Sequence, residues 1–116
     1  MKKLFLPVTA LMIVAGLSYC SGSRKATVVI PKMNYETDVK QIVSEKCSPC
    51  HFPDKGGNKP PLNSYSLVSA SLDNIISRIE MHPGEKGFMP FKRPRLSDSL
   101  INVFKQWKAD GLIEKL

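Results

Sequence analysis

Three stretches of the chain, residues 35–47, 72–79 and 100–107, place apolar side chains at intervals of three and four positions. This spacing gathers the apolar side chains on one face of a helix, which can then pack into a core. No stretch alternates strictly between apolar and polar residues, as a strand with one buried face does. The pattern therefore predicts an all-α fold with three main helices and long loops. A shorter helical turn is predicted at residues 62–68.

Capping signals at the ends of these stretches agree with the three helices. Ser71 and Ser97 each precede a stretch and suit the N-cap position, since a serine hydroxyl accepts a hydrogen bond from a free backbone N–H group. Gly111 follows the last stretch, where a left-handed glycine commonly ends a helix. The segments 52–63 and 84–94 are rich in glycine and proline and are predicted to be loops.

The first residues of the chain have the features of an export signal. Met1-Lys2-Lys3 is a positively charged start, and an uncharged, mostly apolar run follows from residue 4 to residue 17. This run is shorter than the ~20 apolar residues that a membrane-spanning helix needs, so it is predicted to be a secretory signal. An uncleaved anchor helix is the alternative. The protein is therefore expected to act outside the cytoplasm.

A cysteine stands directly after the apolar run. The segment Leu17-Ser18-Tyr19-Cys20 resembles the bacterial lipoprotein signal, in which the cysteine is acylated and becomes the mature N-terminus, although Tyr19 is bulkier than the residues common there. The resemblance implies a lipid on Cys20 that tethers the protein to a membrane. An ordinary signal with an incidental cysteine is the alternative. The chain is thus divided into a signal peptide (1–19), a flexible tether (20–33) and one domain (34–116).

The distribution of charge bears on the choice of partner. The chain has 17 basic and 10 acidic residues, but the basic residues are spread out and only Lys92-Arg93-Pro94-Arg95 forms a cluster. Nucleic-acid binding favours a basic stripe interleaved with aromatic side chains; none is present, so no nucleic acid is expected. A dispersed positive charge instead steers an acidic protein towards the surface. Lys86, Lys92, Arg93 and Arg95 are the predicted steering residues.

The segment Cys47-Ser48-Pro49-Cys50-His51 has the spacing of a c-type haem attachment site. Two thiols three positions apart at a helix end lie on one side of the chain. Both can bond to one edge of a porphyrin there, while the adjacent imidazole binds the iron. A thioredoxin-like redox pair, half of a zinc site and a plain disulfide are the alternatives. A thioredoxin-like pair normally belongs to a βαβ unit, and no strand is predicted here. A zinc site needs further ligands, for which only His82 and Cys20 remain.

Haem iron of this kind normally takes a second axial ligand from the chain. Met89 lies in Gly87-Phe88-Met89-Pro90, within a loop that can bend over the open face of the haem. Its soft thioether suits low-spin iron, and a Met/His pair raises the reduction potential. His51 and Met89 are therefore the predicted proximal and distal ligands of one covalent haem c. The alternatives for the distal ligand are Met33, Met81 and His82, or an open site.

From about Glu36 to Glu114, the chain resembles a small class I monohaem cytochrome c. The similarity lies in the haem motif 47–51, in Met89-Pro90, and in Leu96-Ser97-Asp98 opening a last helix that carries Trp107 and Gly111. It implies a cytochrome c-like fold, in which three helices and long loops wrap around one haem and the first and last helices cross beside it. The residues that would meet at this crossing are Val39, Ile42 and Val43 with Phe104 and Trp107.

The resemblance implies an electron carrier and not an enzyme. A haem with both axial positions filled leaves no position for a small-molecule substrate, and no further His, Arg or Asp constellation supports peroxide chemistry. The expected partners are periplasmic or membrane-bound redox proteins with acidic docking surfaces. An open-site haem protein, acting as a ligand sensor or an enzyme, is one alternative. A haem subunit of a larger respiratory complex is the other.

Overall fold

The computed structural model describes residues 29–116, which form helices and loops and contain no strand. The all-α prediction is therefore confirmed for this part of the chain. The predicted signal peptide, the lipidation of Cys20 and most of the predicted tether lie outside the described residues.

The first helix opens as a π-helical turn, Tyr35–Val39, and continues as helix α1, Lys40–Lys46. Asn34 begins it: its side-chain oxygen accepts a hydrogen bond from the backbone N–H of Thr37 at 3.1 Å. In return, the carboxylate of Asp38 accepts one from the backbone N–H of Asn34 at 2.7 Å. These reciprocal bonds satisfy N–H groups that no preceding turn can reach. The helix ends immediately before the haem motif and so presents that motif at its C-terminus.

Two consecutive helices follow the glycine- and proline-rich loop: α2, Tyr65–Ala70, and α3, Leu72–Glu80. Ser64 caps α2 through its hydroxyl. Ser71 joins the two helices, but its hydroxyl makes no capping bond, so the predicted side-chain cap is wrong. The Ser71 carbonyl accepts the N–H of Ile75 at 2.9 Å, which is the first main-chain bond of α3. The predicted apolar face of α3 is confirmed, because Leu72, Ile75 and Ile79 are buried and Ile76 is partly buried.

The last helix, α4, spans Asp98–Ala109 and packs against α3 and against the π-helical turn. Ser97 is its N-cap, as predicted, and accepts a hydrogen bond from the N–H of Leu100 at 3.4 Å. Gly111 has a φ of +96°, so it adopts the left-handed conformation predicted for the helix end. The buried face of α4 consists of Ile101, Phe104 and Trp107.

The residues after α4 fold back on the first helix and close the core at one end. The Ile113 carbonyl accepts the indole N–H of Trp107 and the backbone N–H of Tyr35, both at 2.8 Å. The Leu112 carbonyl accepts the hydroxyl of Tyr65 at 2.7 Å. The rings of Tyr35, Tyr65 and Trp107 lie 5.6 to 6.1 Å apart, which is the range of favourable aromatic pairs.

Replacement of Tyr65 by phenylalanine tests the contribution of this closure. Tyr65→Phe keeps the aromatic contacts but leaves the Leu112 carbonyl without its donor, so we expect the free energy of unfolding to fall by about 1 kcal/mol. Tyr35→Phe is the control, because the Tyr35 hydroxyl forms no hydrogen bond within residues 29–116. Denaturant unfolding measures both variants. Equal effects of the two would contradict a role for the Tyr65 hydrogen bond.

Candidate cofactor site

Two adjoining cavities, of about 270 Å³ and 210 Å³, lie between the haem motif, α3 and the loop that carries Met89. We call them together the cleft. Cys50 lines only the larger cavity, whereas Asn74 and Arg78 line only the smaller one. The residues that line both are Cys47, His51, Lys59, Ile75, Ile79 and Met89.

The walls of the cleft are apolar, and its charged residues are all basic. Ile75 and Ile79 of α3 form one wall, and Leu96 and Phe104 close the larger cavity from the α4 side. These four side chains are buried, so the interior offers an apolar ligand a large contact area away from water. No Asp or Glu lines either cavity. The charged residues of its lining are Lys46, Lys59, Arg78 and Arg93.

The two cysteines enter the larger cavity from the end of α1. Cys47 caps the helix, with its N–H donating to the Val43 carbonyl at 2.9 Å, and the next turn closes when the His51 N–H donates to the Cys47 carbonyl at 3.1 Å. Both thiols are free in this structure, with Cys47 half-buried and Cys50 exposed. Burial raises the pKa of the Cys47 thiol to about 11, partly opposed by the positive charge of Arg93. Cys47 is therefore a neutral, apolar part of the wall at neutral pH.

The imidazole of His51 is held by a backbone carbonyl. His51 Nδ1 lies 2.7 Å from the Pro60 oxygen. A carbonyl oxygen can only accept a hydrogen bond, so Nδ1 carries the proton and the lone pair of the neutral ring is on Nε2. This is the usual way in which a second group orients a histidine that binds a metal. His51 is thus prepared to offer Nε2 as a ligand.

The segment 57–62, shortly after the haem motif, supplies this carbonyl. Residues on either side of Pro60 are hydrogen-bonded to the motif. The Lys59 N–H donates to the Cys50 carbonyl at 3.0 Å, and the Leu62 N–H donates to the His51 carbonyl at 2.9 Å. Gly57 permits the close approach, because a Cβ there would collide with the carbonyl groups of Pro49 and Cys50. The backbone of 57–62 therefore fixes the position of Pro60 relative to the His51 ring.

Gly57→Ala is expected to destabilise the protein more than the neighbouring substitution Gly56→Ala. At Gly57 the added methyl group meets rigid backbone, and overpacking of this kind costs about 3 kcal/mol. Gly56 has a φ of +79° but open space around it, so alanine there costs only the ~1 kcal/mol of a left-handed residue. Thermal or denaturant unfolding of both variants measures the difference. A larger loss for Gly56→Ala would show that the close contact at Gly57 is unimportant.

Of the four side chains considered as the distal ligand, Met89 alone lines the cleft. It is half-buried and lies at both cavities, as His51 does. Met33 packs against the core near α4, and its N–H donates to the carboxylate of Asp110 at 2.8 Å. Met81 lies beside Gly87, with its sulfur 3.6 Å from where a Cβ of that residue would be. His82 is exposed in the turn after α3.

Sequence reasoning missed two groups of the site, the Pro60 carbonyl and the Arg78 side chain. Pro60-Pro61 was recognised only as part of a loop, and a backbone acceptor has no sequence signature of its own. Arg78 stands one position before the buried Ile79 and reads as an ordinary polar residue of an amphipathic helix. Neither group could have been found from the sequence, because both contacts depend on where a distant loop returns to the site.

Comparisons with protein-family models, with curated proteins and with solved structures give no match for this chain. Among residues 29–116, no helix is long and apolar enough to cross a membrane. The same residues contain no group of three or more His, Cys, Asp or Glu side chains that could hold a metal ion. The residues of the cleft are therefore the basis for assigning a function.

Proposed function

We propose that this protein is an exported electron carrier of the class I cytochrome c type, with a cytochrome c-like fold around one covalent haem. Cys47 and Cys50 would hold the haem through thioether bonds, and His51 and Met89 would bind its iron. The observation that carries the proposal is that two free thiols, an imidazole with its lone pair on Nε2 and a thioether all line one apolar cleft.

The donor set fits haem in its chemistry. Both thiols belong to one turn at the larger cavity, the walls are aliphatic and aromatic, and the nitrogen and sulfur donors are those of a low-spin, six-coordinate haem. The haem would supply a one-electron couple. The chain itself excludes water with Ile75, Ile79 and Phe104 and fixes the His51 ring through Pro60. Ligation by both His51 and Met89 would leave no position for a substrate, which favours electron transfer over catalysis.

The lining of the cleft favours an acidic redox partner. Lys46, Lys59 and Arg93 stand at the larger cavity, and no carboxylate offsets them there. Of the residues predicted from the sequence to steer a partner, Lys92 lies over the exposed Phe91 ring and leaves its charge at the surface. Arg95 pairs with Asp98 at 2.8 Å and therefore contributes less. A partner with clustered carboxylates would be drawn to the side where the cleft opens.

Reversal of one charge at the cleft tests this steering. Lys59→Glu is expected to slow electron exchange with an acidic redox protein about tenfold at low salt, and the difference should shrink as salt screens the charges. Lys115→Glu is the control, since it makes the same change of net charge at a residue that does not line the cleft. Stopped-flow rates at several ionic strengths measure both. Equal rates for the two variants would contradict docking at the cleft.

The proposal includes export and a lipid on Cys20, both of which rest on the resemblance of the N-terminus to a lipoprotein signal. Mass spectrometry of the mature protein tests them, because cleavage before Cys20 and acylation change the mass of the N-terminal peptide. A mature protein that begins at another residue would exclude the lipid anchor without affecting the haem site.

Optical spectra of the mature protein test the function as a whole. Oxidised, reduced and carbon monoxide-treated samples should show a covalent, low-spin haem with the weak far-red sulfur-to-iron band and no response to carbon monoxide. A response to carbon monoxide without that band would instead support an open site for ligand binding or catalysis. The absence of a haem spectrum would overturn the proposal. Purification only together with companion proteins would identify a subunit of a larger complex.

A further inference from the structure

We infer that Arg78 is a positioning residue that holds the Met89 loop across the cleft. The inference rests on the proposed function, because it concerns how the chain keeps Met89 in place as an iron ligand. Arg78 lies in the last turn of α3 and is half-buried. It contacts the loop with both its main chain and its side chain.

The two contacts reach residues on either side of Phe88. The carbonyl of Arg78 accepts the N–H of Met89 at 3.2 Å. Nη1 of its guanidinium donates to the carbonyl of Gly87, also at 3.2 Å. Arg78 thus binds the backbone of both Met89 and Gly87. These two bonds fix the position of the Met89 backbone and therefore the point from which its side chain extends.

These are the only hydrogen bonds that join residues 83–92 to a helix in the described part of the chain. The other backbone bonds of the loop are local, such as Phe88 N–H to the Glu85 carbonyl at 3.1 Å. Burial of Phe88 anchors the loop in the same region. Without Arg78, the path of residues 87–89 would depend on that one buried ring and on the Met89 side chain.

The guanidinium is oriented before it meets the loop. Its Nε donates to the side-chain oxygen of Asn74, one turn earlier on α3, at 2.8 Å. No carboxylate lies within salt-bridge distance of Arg78 in residues 29–116. Because one edge of the planar group is fixed by Asn74, the remaining donors point in a set direction. The bond to Gly87 therefore costs less side-chain entropy than a bond from a free arginine would.

Gly87 is the loop residue whose carbonyl accepts the Arg78 side-chain bond, and its backbone conformation favours glycine. Its φ is +102°, and a Cβ at this position would lie 3.4 Å from Nη1 of Arg78 and 3.6 Å from the sulfur of Met81. Another residue would be strained by the backbone angle, while its Cβ would make only ordinary van der Waals contact with the guanidinium. The glycine thus lets its own carbonyl come within reach of Arg78.

The test is the displacement of Met89 by imidazole in the oxidised, haem-loaded protein. Imidazole binds only when Met89 leaves the iron, so its apparent affinity reports how firmly the loop holds the ligand. Loss of one hydrogen bond from a charged donor should favour loop release about tenfold. We therefore expect Arg78→Gln to raise the imidazole affinity about tenfold, and Asn74→Ala to raise it by less.

Two further variants separate positioning from a general effect on stability. Arg78→Lys keeps the charge and can donate one hydrogen bond, so it should restore part of the wild-type resistance to imidazole. Arg95→Lys is the matched control: Arg95 is also half-buried, but it pairs with Asp98 and does not line the cleft. Its imidazole affinity should equal that of the wild type.

The outcomes distinguish this inference from the proposed function. Suppose that the wild-type protein shows the far-red band but the Arg78 variants bind imidazole no better than Arg95→Lys does. This result would overturn the role of Arg78 and leave the carrier proposal intact. A wild-type protein without covalent haem or without the band would overturn both. If Arg78→Gln gives no haem-loaded protein, Arg78→Lys and Asn74→Ala provide the same comparison.

Discussion

The Met89→Ala protein is expected to bind carbon monoxide when reduced and to lose the far-red sulfur-to-iron band when oxidised. Met89 lies at both cavities of the cleft together with His51, and alanine leaves no donor in its place. Because a Met/His pair raises the potential of a haem, we also expect the midpoint potential to fall, by on the order of 0.1 V or more. Optical spectra and a redox titration measure these changes.

Met81→Ala is the matched control for this substitution. Met81 is the methionine nearest to Met89 in the sequence, but it lies against Gly87 and does not line the cleft. Its replacement should affect stability while the spectrum and the potential stay those of the wild type. If Met89→Ala had an unchanged spectrum, or if Met81→Ala lost the far-red band instead, the assignment of the distal ligand would be wrong.

The His51→Ala protein is expected to lose nearly all of its native haem. His51 is the only histidine that lines the cleft, and its bond to Pro60 leaves Nε2 free to bind a metal. Alanine removes that donor and leaves the iron without its proximal ligand, even where a thioether still forms. The ratio of haem absorbance to protein in the purified sample measures the loss, and added imidazole should restore part of the low-spin spectrum.

His82→Ala is the control for His51→Ala. The chain has two histidines, and His82 is exposed in the turn after α3. Its replacement should leave the haem content unchanged. A normal haem content in His51→Ala, or a loss in His82→Ala, would contradict the proximal assignment and with it the reading of the haem motif.

The helices were predictable because their signals are local. The apolar spacing of residues 35–47 and 100–107 placed the buried faces, and Ser97 and Gly111 marked the ends of α4. The Ser71 side-chain cap was wrong because Ser71 is the single residue between α2 and α3 and has a φ of −99° and a ψ of 3°, whereas a residue whose side chain caps a helix is usually extended. The π-helical opening at Tyr35–Val39 was also not predicted, since its apolar spacing is that of an ordinary helix.

The site was predictable to the extent that it is contiguous in the sequence. Cys47, Cys50 and His51 belong to one turn, so their spacing alone was enough to predict a haem attachment site, which stays a prediction. Met89 was selected over its alternatives by the glycine and proline around it, and the structure places it alone among them at the cleft. The bond from the Pro60 carbonyl to His51 and the bonds from Arg78 to Gly87 and Met89 were beyond sequence reasoning, because each depends on the path of a loop that returns to a distant residue.

The hydrogen bonds that join residues 57–62 to the haem motif also limit how this chain can vary in length. One residue inserted between Gly57 and Lys59 would shift Lys59 and Pro60 relative to Cys50 and the His51 ring. The exposed turn around Pro83 and Gly84 lies between Arg78 and the two loop residues that it contacts, takes part in neither contact, and borders neither cavity of the cleft. Insertions, whether a peptide tag or a fused domain, should therefore be tolerated at that turn and excluded from the segment after the cysteines.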